Sequence, residues 1–523
     1  MKRNLLKALG ISFLIFVVLS WIIPVSTISG EKVAKGGYDA IGLFDLVGVP
    51  VQTLVTFALY IAVFACIGGL YGVMSKTGAL GAWTDNINRK FTGKEKGFLI
   101  FTTIFFVILS SLTGLLLPLF ALVPLFAMIL FKMNYDKVTT MASTVGAMLV
   151  GSMASTYGFN ISGYTKNILS LDMNFQIIAK LILLVILTTV LVIFVVKCSN
   201  RKEKQATIKE AKVEEPKKEV KEEKKTKASA KTSNTKNTKK APTKKTTIKK
   251  NTKKSSKNTT KNMAIAKDVK KVKNEKSLST LPLIIIFVLM LIVTMVGMFN
   301  WYYSFGIEFF NDIHTSIMAV KIGDFPIFEN LLSGISQLGY WGNNEFIIIM
   351  VIAAALIAFI YRLSFGEFVE SFIAGIKKML PTAIYAALAS IILSVLYQAS
   401  YQGTGTIADT VFNATMSMTD GFNVLTTGLT ALIGSFFYND LYYLLSGMQA
   451  FMGGFDASSL SIAGLLVQSI YALGMILLPT SVVLIAGLSY FDVSFKQWIK
   501  YIWKFAVIAL LVILLVCAIL TVL

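Results

Sequence analysis

The sequence has little of the chemistry on which metalloproteins and soluble hydrolases depend. Its 523 residues include one histidine and three cysteines, with no CxxC pair, which disfavours a histidine-based metal site and a disulfide framework. No GxxxxGK[ST], HExxH or GxSxG motif occurs, so ATP-driven transport and the common hydrolase reactions lose support. We therefore expect a protein that is not an enzyme and has no resident cofactor or metal.

Charged residues are scarce and unevenly placed. They make up 15% of the chain, against roughly 25% in average soluble domains, while 55% of the residues are hydrophobic. Residues 201–280 hold 28 basic and 9 acidic residues and so carry +19 of the formal net charge of +22. This distribution excludes an ordinary soluble enzyme and a basic globular domain that wraps nucleic acid. It indicates an integral membrane protein with a cationic hydrophilic insert.

Long apolar runs predict membrane-spanning helices, because a span needs about 20 mostly apolar residues. The clear spans are predicted at residues 5–23, 51–74, 175–196, 281–301, 346–361, 380–398 and 499–523. Two other apolar regions, 97–157 and 424–490, are interrupted by glycine, proline and small polar residues. Broken helices are tolerated in a membrane only where protein or a water-filled cavity satisfies their backbone. Each of the two regions is therefore predicted to form a re-entrant helical hairpin followed by a broken helix.

The positions of lysine and arginine orient these segments, since both residues are retained on the cytoplasmic side of a membrane. Lys2, Arg3 and Lys7 predict a cytoplasmic N-terminus in a multi-pass protein of the plasma membrane. The hairpin at 97–131 is predicted to enter from the cytoplasm, and the hairpin at 424–453 is predicted to enter from outside. The basic insert is predicted to be cytoplasmic, and the C-terminus is predicted to lie outside.

The order of segments predicts an all-α polytopic membrane protein with two inverted-topology repeats. Pro50 and Pro381 are each predicted to open the second helix of a half. The predicted divisions are an N-terminal membrane repeat (1–198), a disordered Lys-rich cytoplasmic linker (199–278), an extra transmembrane helix with an external loop (279–345) and a C-terminal membrane repeat (346–523). Inverted repeats with paired interruptions are typical of secondary transporters.

Small polar residues, glycines and one proline at matched places in the two halves are the candidate binding residues. Freed backbone amides at such interruptions hold anions, and freed carbonyls coordinate Na⁺. The candidates are Ser110, Ser111, Thr113, Gly114, Ser155, Thr156, Asn160, Gly434, Ser435, Asn439, Asp440, Pro479, Thr480 and Ser481. Singly, such residues also serve helix packing in membranes. Their recurrence at matched places favours a substrate and ion site, with Na⁺ or H⁺ as the coupling ion.

Asp440 is the most specific single candidate, because an acidic residue in a membrane segment is costly and usually functional. It is expected to bind Na⁺, to carry a proton or to face a cationic substrate. The alternative is that it lies in water at the outer mouth of the protein.

These segments resemble the C4-dicarboxylate anaerobic carrier (DcuC) and YfcC-like family of the ion transporter superfamily. The matching segments are "GGLYGVMSKTGAL" (68–80), "LPLFALVPLFAMILFKMNYDKVTTMASTVGAMLVGSMASTYGFN" (117–160), "GEFVESFIAGIKKMLPTAIYAALA" (366–389), "GTGTIADTVFNA" (403–414) and "LLPTSVVLIAGLSYFDVSFKQWIKYIWKF" (477–505). The resemblance implies a cation-coupled carrier or exchanger for small organic anions or amino acids, often a homodimer. It also implies a substrate and ion site at the hairpin tips and at the "STYGFN" and "LLPTS" interruptions.

The basic insert is rich in Lys, Thr, Ser and Asn and almost free of aromatic residues. It cannot bury enough apolar surface to fold and is predicted to be disordered. It is expected to be a solvated linker with incidental contact to anionic lipid, and non-specific contact with nucleic acid is the alternative. It lacks the interleaved aromatics of a single-strand binder, so no specific nucleic-acid partner is expected.

The sequence thus predicts a secondary active transporter in a lipid bilayer, working by alternating access as a symporter or antiporter. Its predicted substrate is a small organic anion or amino acid, either a dicarboxylate or the pair of an arginine/ornithine-type exchange. The alternative function is a non-transporting membrane scaffold whose insert recruits lipid, nucleic acid or a soluble partner.

Overall fold

The computed structural model describes residues 2–29, 32–211, 279–332, 334–401 and 405–523, which are mainly helical. The elements before the insert are α1 (Lys2–Ile22), β1 (Ser26–Ser29), β2 (Lys32–Lys35), α2 (Asp45–Thr56), α3 (Ala58–Lys76), α4 (Ala79–Lys90), α5 (Glu95–Thr113), α6 (Leu116–Phe120), α7 (Val123–Lys132), α8 (Lys137–Met141), α9 (Ala147–Met153), α10 (Tyr164–Leu169) and α11 (Ile177–Ala211). Two π-helical turns, Ala142–Gly146 and Phe159–Gly163, lead into α9 and α10.

The elements after the insert continue the same numbering. They are α12 (Leu281–Met298), α13 (Trp301–Phe305), α14 (Phe309–Met318), β3 (Lys321–Ile322), β4 (Phe325–Pro326), α15 (Ile327–Leu331), α16 (Asn343–Ile360), α17 (Phe365–Leu388), α18 (Ile391–Tyr401), α19 (Ile407–Met416), α20 (Val424–Phe437), α21 (Leu441–Met452), α22 (Ala457–Leu477), α23 (Val482–Phe491) and α24 (Phe495–Leu520). The strands form two short antiparallel pairs, β1 with β2 and β3 with β4. The other described elements are all helical, consistent with the predicted all-α class, and the sequence pattern did not predict these short strands.

The helices have the lengths and apolar surfaces expected in a bilayer. In the described ranges, eight helices are long and apolar enough to span a membrane, or nine if one bent pair counts as a single span. Large apolar side chains remain exposed along them, among them Trp21, Val185 and Leu515. Contiguous apolar surface of this extent is rare on soluble monomers, whereas lipid tails accept it. The protein is a polytopic membrane protein.

Two predicted spans are interrupted helices. Phe57 separates α2 from α3 within the predicted span 51–74, and α17 meets α18 at a 44° bend within 380–398. Pro50 and Pro381 lie inside α2 and α17 rather than at helix starts, so the prediction that they open helices is wrong. Proline removes a backbone donor and crowds the preceding turn, and each proline lies about two turns before its interruption.

The described elements occur in the same order in the two halves. The sequence α1, α2–α3, α4, α5, α6–α7, α8–α9, α10, α11 is matched by α16, α17–α18, α19, α20, α21, α22, α23, α24. Between the halves, α3 and α17 cross closely at glycines. A Cβ on Gly375 would lie 2.0 Å from the backbone oxygen of Gly68, and a Cβ on Gly72 would lie 2.2 Å from that of Ser371. Glycine is therefore required where the halves meet.

The first interrupted region folds back on itself, and whether it is re-entrant in a membrane stays a prediction. Phe126 of α7 packs against Phe98 and Phe105 of α5, with ring centroids 6.0 and 5.3 Å apart. Lys132 at the end of α7 returns to Asp85 of α4, with Nζ 2.7 Å from Oδ1. In the second region, Gly434 of α20 lies against Leu444 of α21, where a Cβ would meet the leucine at 2.4 Å. Both regions are helical hairpins.

The insert begins later in the structure than the predicted boundary. Helix α11 continues to Ala211, thirteen residues beyond the predicted end of the N-terminal repeat at 198. The rest of the predicted disordered linker, residues 212–278, lies outside the described residues.

Candidate functional site

The tip of the first hairpin touches the first interrupted helix. Gly114 ends α5 with a φ of +66°, a conformation that glycine adopts readily and other residues resist. A Cβ at Gly114 would lie 3.0 Å from the Cα of Gly158. The backbone N–H of Thr156 donates to the backbone oxygen of Ser111 at 3.0 Å. We call residues 110–116 the first tip and residues 154–160, which run from the end of α9 into the second π-helical turn, the first break.

The hydroxyl groups of the first half mostly satisfy carbonyl oxygens exposed by this contact. Ser110 Oγ donates to the backbone oxygen of Met148 at 2.6 Å, and Ser111 Oγ donates to that of Ala154 at 2.6 Å. The hydroxyls of Ser155 and Thr156 lie 3.4 and 3.2 Å from the oxygen of Ser111, while Thr113 bonds to Leu109 within its own helix. These side chains hold the tip against the break.

The second half has the same kind of contact, built from different side chains. Asn439 Nδ2 donates to the backbone oxygen of Thr480 at 2.8 Å and to Ser390 Oγ at 3.0 Å. The Thr480 hydroxyl donates to the backbone oxygen of Ser435 at 3.4 Å. A Cβ on Gly474 would meet Ser435 at 2.7 Å. We call residues 434–441 the second tip and residues 478–482, which run from the end of α22 to the first residue of α23, the second break.

A cavity of about 450 Å³ lies where the tips and breaks of both halves come together. Five of the fourteen predicted site residues line it: Gly114, Asn160, Asn439, Asp440 and Ser481. The other nine lie around the cavity in the tips and breaks without lining it: Ser110, Ser111, Thr113, Ser155, Thr156, Gly434, Ser435, Pro479 and Thr480. The structure thus brings residues from all four clusters into one region, and it separates those that face the cavity from those that pack.

Aromatic side chains, which the sequence pattern did not single out, form much of the wall. They are Tyr60, Phe159, Tyr164, Tyr340, Trp341 and Tyr471. The Tyr471 hydroxyl donates to the backbone oxygen of Asn439 at 2.8 Å. These residues come from distant parts of the chain, and no local motif marks them among the many aromatics of an apolar sequence.

The cavity wall is acidic at one place. Among the described residues that line it, Asp440 is the one carboxylate, and there is no lysine, arginine or histidine. Asp440 Oδ1 caps α21 by accepting from the backbone N–H of Tyr442 at 2.9 Å. The adjacent Asn439 Oδ1 is buried and has no hydrogen-bond partner in the described chain. Two acceptor groups therefore lie side by side with unused capacity.

The second break offers hydrogen-bond donors, in contrast to the acceptor groups of Asn439 and Asp440. Ser481 caps α23, with its Oγ accepting from the backbone N–H of Leu484 at 3.3 Å. Val482 and Val483, the first two residues of α23, line the cavity. The first amides of a helix lack intrahelical partners and carry a partial positive charge, so this helix start suits a carboxylate. In the described residues no three His, Cys, Asp or Glu side chains gather as a metal site would require, and the coupling ion stays a prediction.

Lys180 was missed by the sequence reading, although its signal was visible. It is the lone charged residue in the predicted span 175–196, and its side chain in α11 is fully buried. Its Nζ lies 3.2 Å from Ser162 Oγ and 3.3 Å from the centroid of the Phe175 ring. No other Lys, Arg, Asp or Glu side chain in the described ranges is classed as buried. A charge in such a position is a functional candidate by default.

Comparison with known proteins finds a family similar to the segment that carries the first tip and the first break. Residues 50–241 match the family model of DcuC, the C4-dicarboxylate anaerobic carrier. No curated protein and no solved structure matches the chain. The matched residues run from α2 through α11 and into the insert, where 212–241 lie outside the described ranges. The match confirms the predicted resemblance: residues 50–241 are similar to the DcuC family, described as C4-dicarboxylate anaerobic carriers.

Proposed function

We propose that the protein is a secondary active transporter that binds its substrate in the cavity between the two tips and the two breaks. The observation that carries this proposal is the lining itself: Gly114 and Asn160 from the first half share one cavity with Asn439, Asp440 and Ser481 from the second. Paired interruptions that meet at a central site are the arrangement by which repeat-built transporters alternate access. The matching order of elements in the two halves supports the same interpretation.

The contacts at the two ends of the molecule support the proposed inverted topology. Segments predicted to be cytoplasmic are joined by the ion pairs Lys76–Glu367 at 3.4 Å and Lys137–Asp492 at 3.3 Å. Segments predicted to lie outside are joined by the hydrogen bond from Lys166 Nζ to the backbone oxygen of Tyr303 at 2.7 Å. Each contact links predicted segments of the same side. The homodimer and the lipid contact of the insert remain proposals that rest on the family resemblance and on charge.

The cavity favours an amino acid with a cationic group over a dicarboxylate. Asp440 and the unpaired Oδ1 of Asn439 offer acceptors for an ammonium or guanidinium group, and aromatic rings such as those of the lining tyrosines can attract cations. The start of α23 offers amides for a carboxylate. A dicarboxylate would bring two negative charges to a wall that holds one carboxylate and, in its described residues, no basic side chain. We therefore favour substrates of the arginine/ornithine type over the C4-dicarboxylates that the family name describes.

Reconstituted protein tests this choice directly. Proteoliposomes would be assayed for uptake of radiolabelled L-arginine, L-ornithine, L-alanine, succinate and fumarate, with the same unlabelled compounds inside. We expect L-arginine or L-ornithine exchange and little flux of the dicarboxylates. Rapid succinate or fumarate flux without amino-acid flux would overturn the substrate assignment, and no flux of any compound would overturn the transporter itself.

The matched variants are Asp440→Asn and Asp456→Asn. Both aspartates cap a helix through a backbone N–H, but Asp456 caps α22 and does not line the cavity. Loss of one partner of a buried charge pair costs about 2–5 kcal/mol, so Asp440→Asn should lower L-arginine affinity by more than about tenfold. Asp456→Asn should leave it unchanged. Equal effects of the two variants would assign Asp440 to helix capping alone.

A further inference from the structure

Lys180 lies deep in the protein without an acidic partner. Its side chain in α11 is 0% exposed, and it takes part in no salt bridge within the described ranges. Removal of an ammonium group from water is expensive unless a counter-charge compensates it. Here the compensation is one hydroxyl oxygen, that of Ser162 at 3.2 Å, and the face of Phe175. Both the charged and the neutral amine are therefore chemically accessible at this position.

The partner of Lys180 is tied to the first break. Ser162 Oγ donates to the backbone oxygen of Ser155 at 2.7 Å, and the same oxygen accepts from Gln468 Nε2 of α22 at 3.3 Å. The side chains of Ser155, Ser162 and Gln468 are all buried. Ser155 lies between Ser152 and Asn160, which both line the cavity. Lys180 is thus two hydrogen bonds away from the backbone of the first break at Ser155, and Gln468 connects that backbone to the second half.

We propose that Lys180 is the binding site for the coupling proton, and that Ser162 transmits the charge of Lys180 to the first break. This inference rests on the proposed transport function and adds its coupling site. A solvent proton binds the lone pair of the neutral amine and forms an ammonium group, and its release on the other side of the membrane restores the amine. No bond other than this N–H bond forms or breaks.

The single hydroxyl hydrogen of Ser162 links the protonation state of Lys180 to the first break. When Lys180 is an ammonium group it can only donate, so Ser162 Oγ accepts from it and donates its own hydrogen to the oxygen of Ser155. When Lys180 is a neutral amine its nitrogen can accept, and the Ser162 hydrogen can turn toward it. The oxygen of Ser155 then keeps Gln468 as its remaining side-chain donor. Protonation therefore tightens the first break, and deprotonation loosens it.

The elements around Lys180 carry titratable groups, but none of them forms a salt bridge with it in the described ranges. Helices α5, α8, α9 and α24 pack against α11, and α10 and α22 contribute the network. Helix α9 carries no titratable side chain. The titratable groups on these elements and on the loop before α11 are Glu95, Lys96, Asp136, Lys137, Tyr164, Lys166, Asp172, Tyr471, Lys496, Lys500, Tyr501, Lys504 and Cys517. No salt bridge joins any of them to Lys180 in the described part of the chain.

Two assays on proteoliposomes separate coupling from transport. The first measures exchange of L-arginine at equal pH on both sides, which needs no coupling proton. The second measures L-arginine accumulation driven by an inwardly directed proton gradient, with the membrane potential clamped and an internal pH dye recording proton entry. The variants are Lys180→Gln, which removes the amine, and Ser162→Ala, which removes the hydroxyl; neither adds bulk. Lys197→Gln, an exposed lysine on the same helix, is the control.

We expect wild-type protein and Lys197→Gln to accumulate L-arginine and to admit protons with it. Lys180→Gln and Ser162→Ala should both lose accumulation and proton entry by at least about tenfold, as expected when a coupling free energy is removed, while L-arginine exchange continues. Accumulation that persists in both variants would overturn the proposal. Parallel loss of exchange and accumulation in both variants would assign the network a structural role and would also overturn it. Wild-type protein that exchanges no L-arginine would overturn the proposed function and this inference together.

Discussion

Asn439 and Thr480 join the second tip to the second break, with the Asn439 Nδ2 donating to the backbone oxygen of Thr480 at 2.8 Å. The same residue is held from the other side, because Tyr471 donates its hydroxyl to the Asn439 backbone oxygen at 2.8 Å. Its remaining acceptor, Oδ1, is buried without a partner. Such an atom is costly in a folded protein unless a ligand or water completes it. Asn439 therefore holds the second tip against the second break and also offers an unused acceptor to a ligand in the cavity.

Replacement of Asn439 should damage both the fold near the site and transport. Asn439→Ala removes two hydrogen bonds and leaves the Thr480 oxygen unpaired, at a cost of about 1–3 kcal/mol. We expect L-arginine exchange to fall by about tenfold or more, with a lower unfolding temperature in detergent. The control is Asn330→Ala, which removes a similar Nδ2-to-backbone bond, to Pro326, at an exposed site. A variant at 439 that transports normally would contradict the role given to this amide.

The first tip should tolerate no side chain at Gly114. Gly114→Ala puts a Cβ 3.0 Å from the Cα of Gly158 and forces a non-glycine residue into a φ of +66°. Gly78→Ala is the matched control, since Gly78 has a φ of +74° but open space around its Cβ position. The strained φ alone costs about 1 kcal/mol.

We therefore expect Gly78→Ala to lower the unfolding temperature slightly and to keep transport. Gly114→Ala should separate the tip from the break and reduce transport much more. Thermal unfolding and exchange assays on the same preparations compare the two. Equal effects would mean that the positive φ, and not the close contact with Gly158, requires a glycine at position 114.

Local sequence was enough to locate the tips and breaks. Apolar runs interrupted by Ser, Gly and Pro predicted them, and the structure has its helix interruptions at Gly114 and at Pro479. The same pattern did not predict which side chains face the cavity. Ser110 and Ser111 point their hydroxyls at neighbouring helix carbonyls, while Asn160 lines the cavity. That difference depends on how separate helices are rotated against each other, which the spacing of residues in one segment does not encode.

Two other features show different limits of sequence reasoning. Lys180 could have been recognised, because a lone lysine in a 22-residue apolar run is visible in the sequence. The tyrosines of the cavity could not, because Tyr60, Tyr164 and Tyr471 meet through tertiary contacts alone. Pro50 and Pro381 are each predicted to open a helix, and proline does favour the first helical turn. In the structure the helices continue through both prolines.

The proposed topology can be tested by thiol labelling in intact cells. In a background without Cys66, Cys198 and Cys517, single cysteines would replace Asn344 and Thr521, both exposed in segments predicted to lie outside. A membrane-impermeant maleimide should label both. Thr92→Cys, exposed beside α4 in a segment predicted to be cytoplasmic, should be labelled only after the membrane is permeabilised. Protection of position 521 in intact cells would reverse the predicted side of the C-terminus.

The loop between α12 and α16 should limit access to the cavity from outside through Trp341. Trp341 lines the cavity, its backbone N–H donates to the Gly297 oxygen at 3.0 Å, and its ring lies over Gly297. A Cβ at Gly297 would come within 2.3 Å of that ring, so Gly297→Leu must displace it. With Asn160→Cys as reporter in the cavity wall, we expect thiol labelling from outside to become about tenfold faster, the size of a modest shift in an open–closed equilibrium. Gly10→Leu adds the same side chain to a helical glycine with open space around it and should leave the rate unchanged. An unchanged rate in Gly297→Leu would mean that Trp341 does not cover the cavity, and that substrate reaches Asn160 by another route.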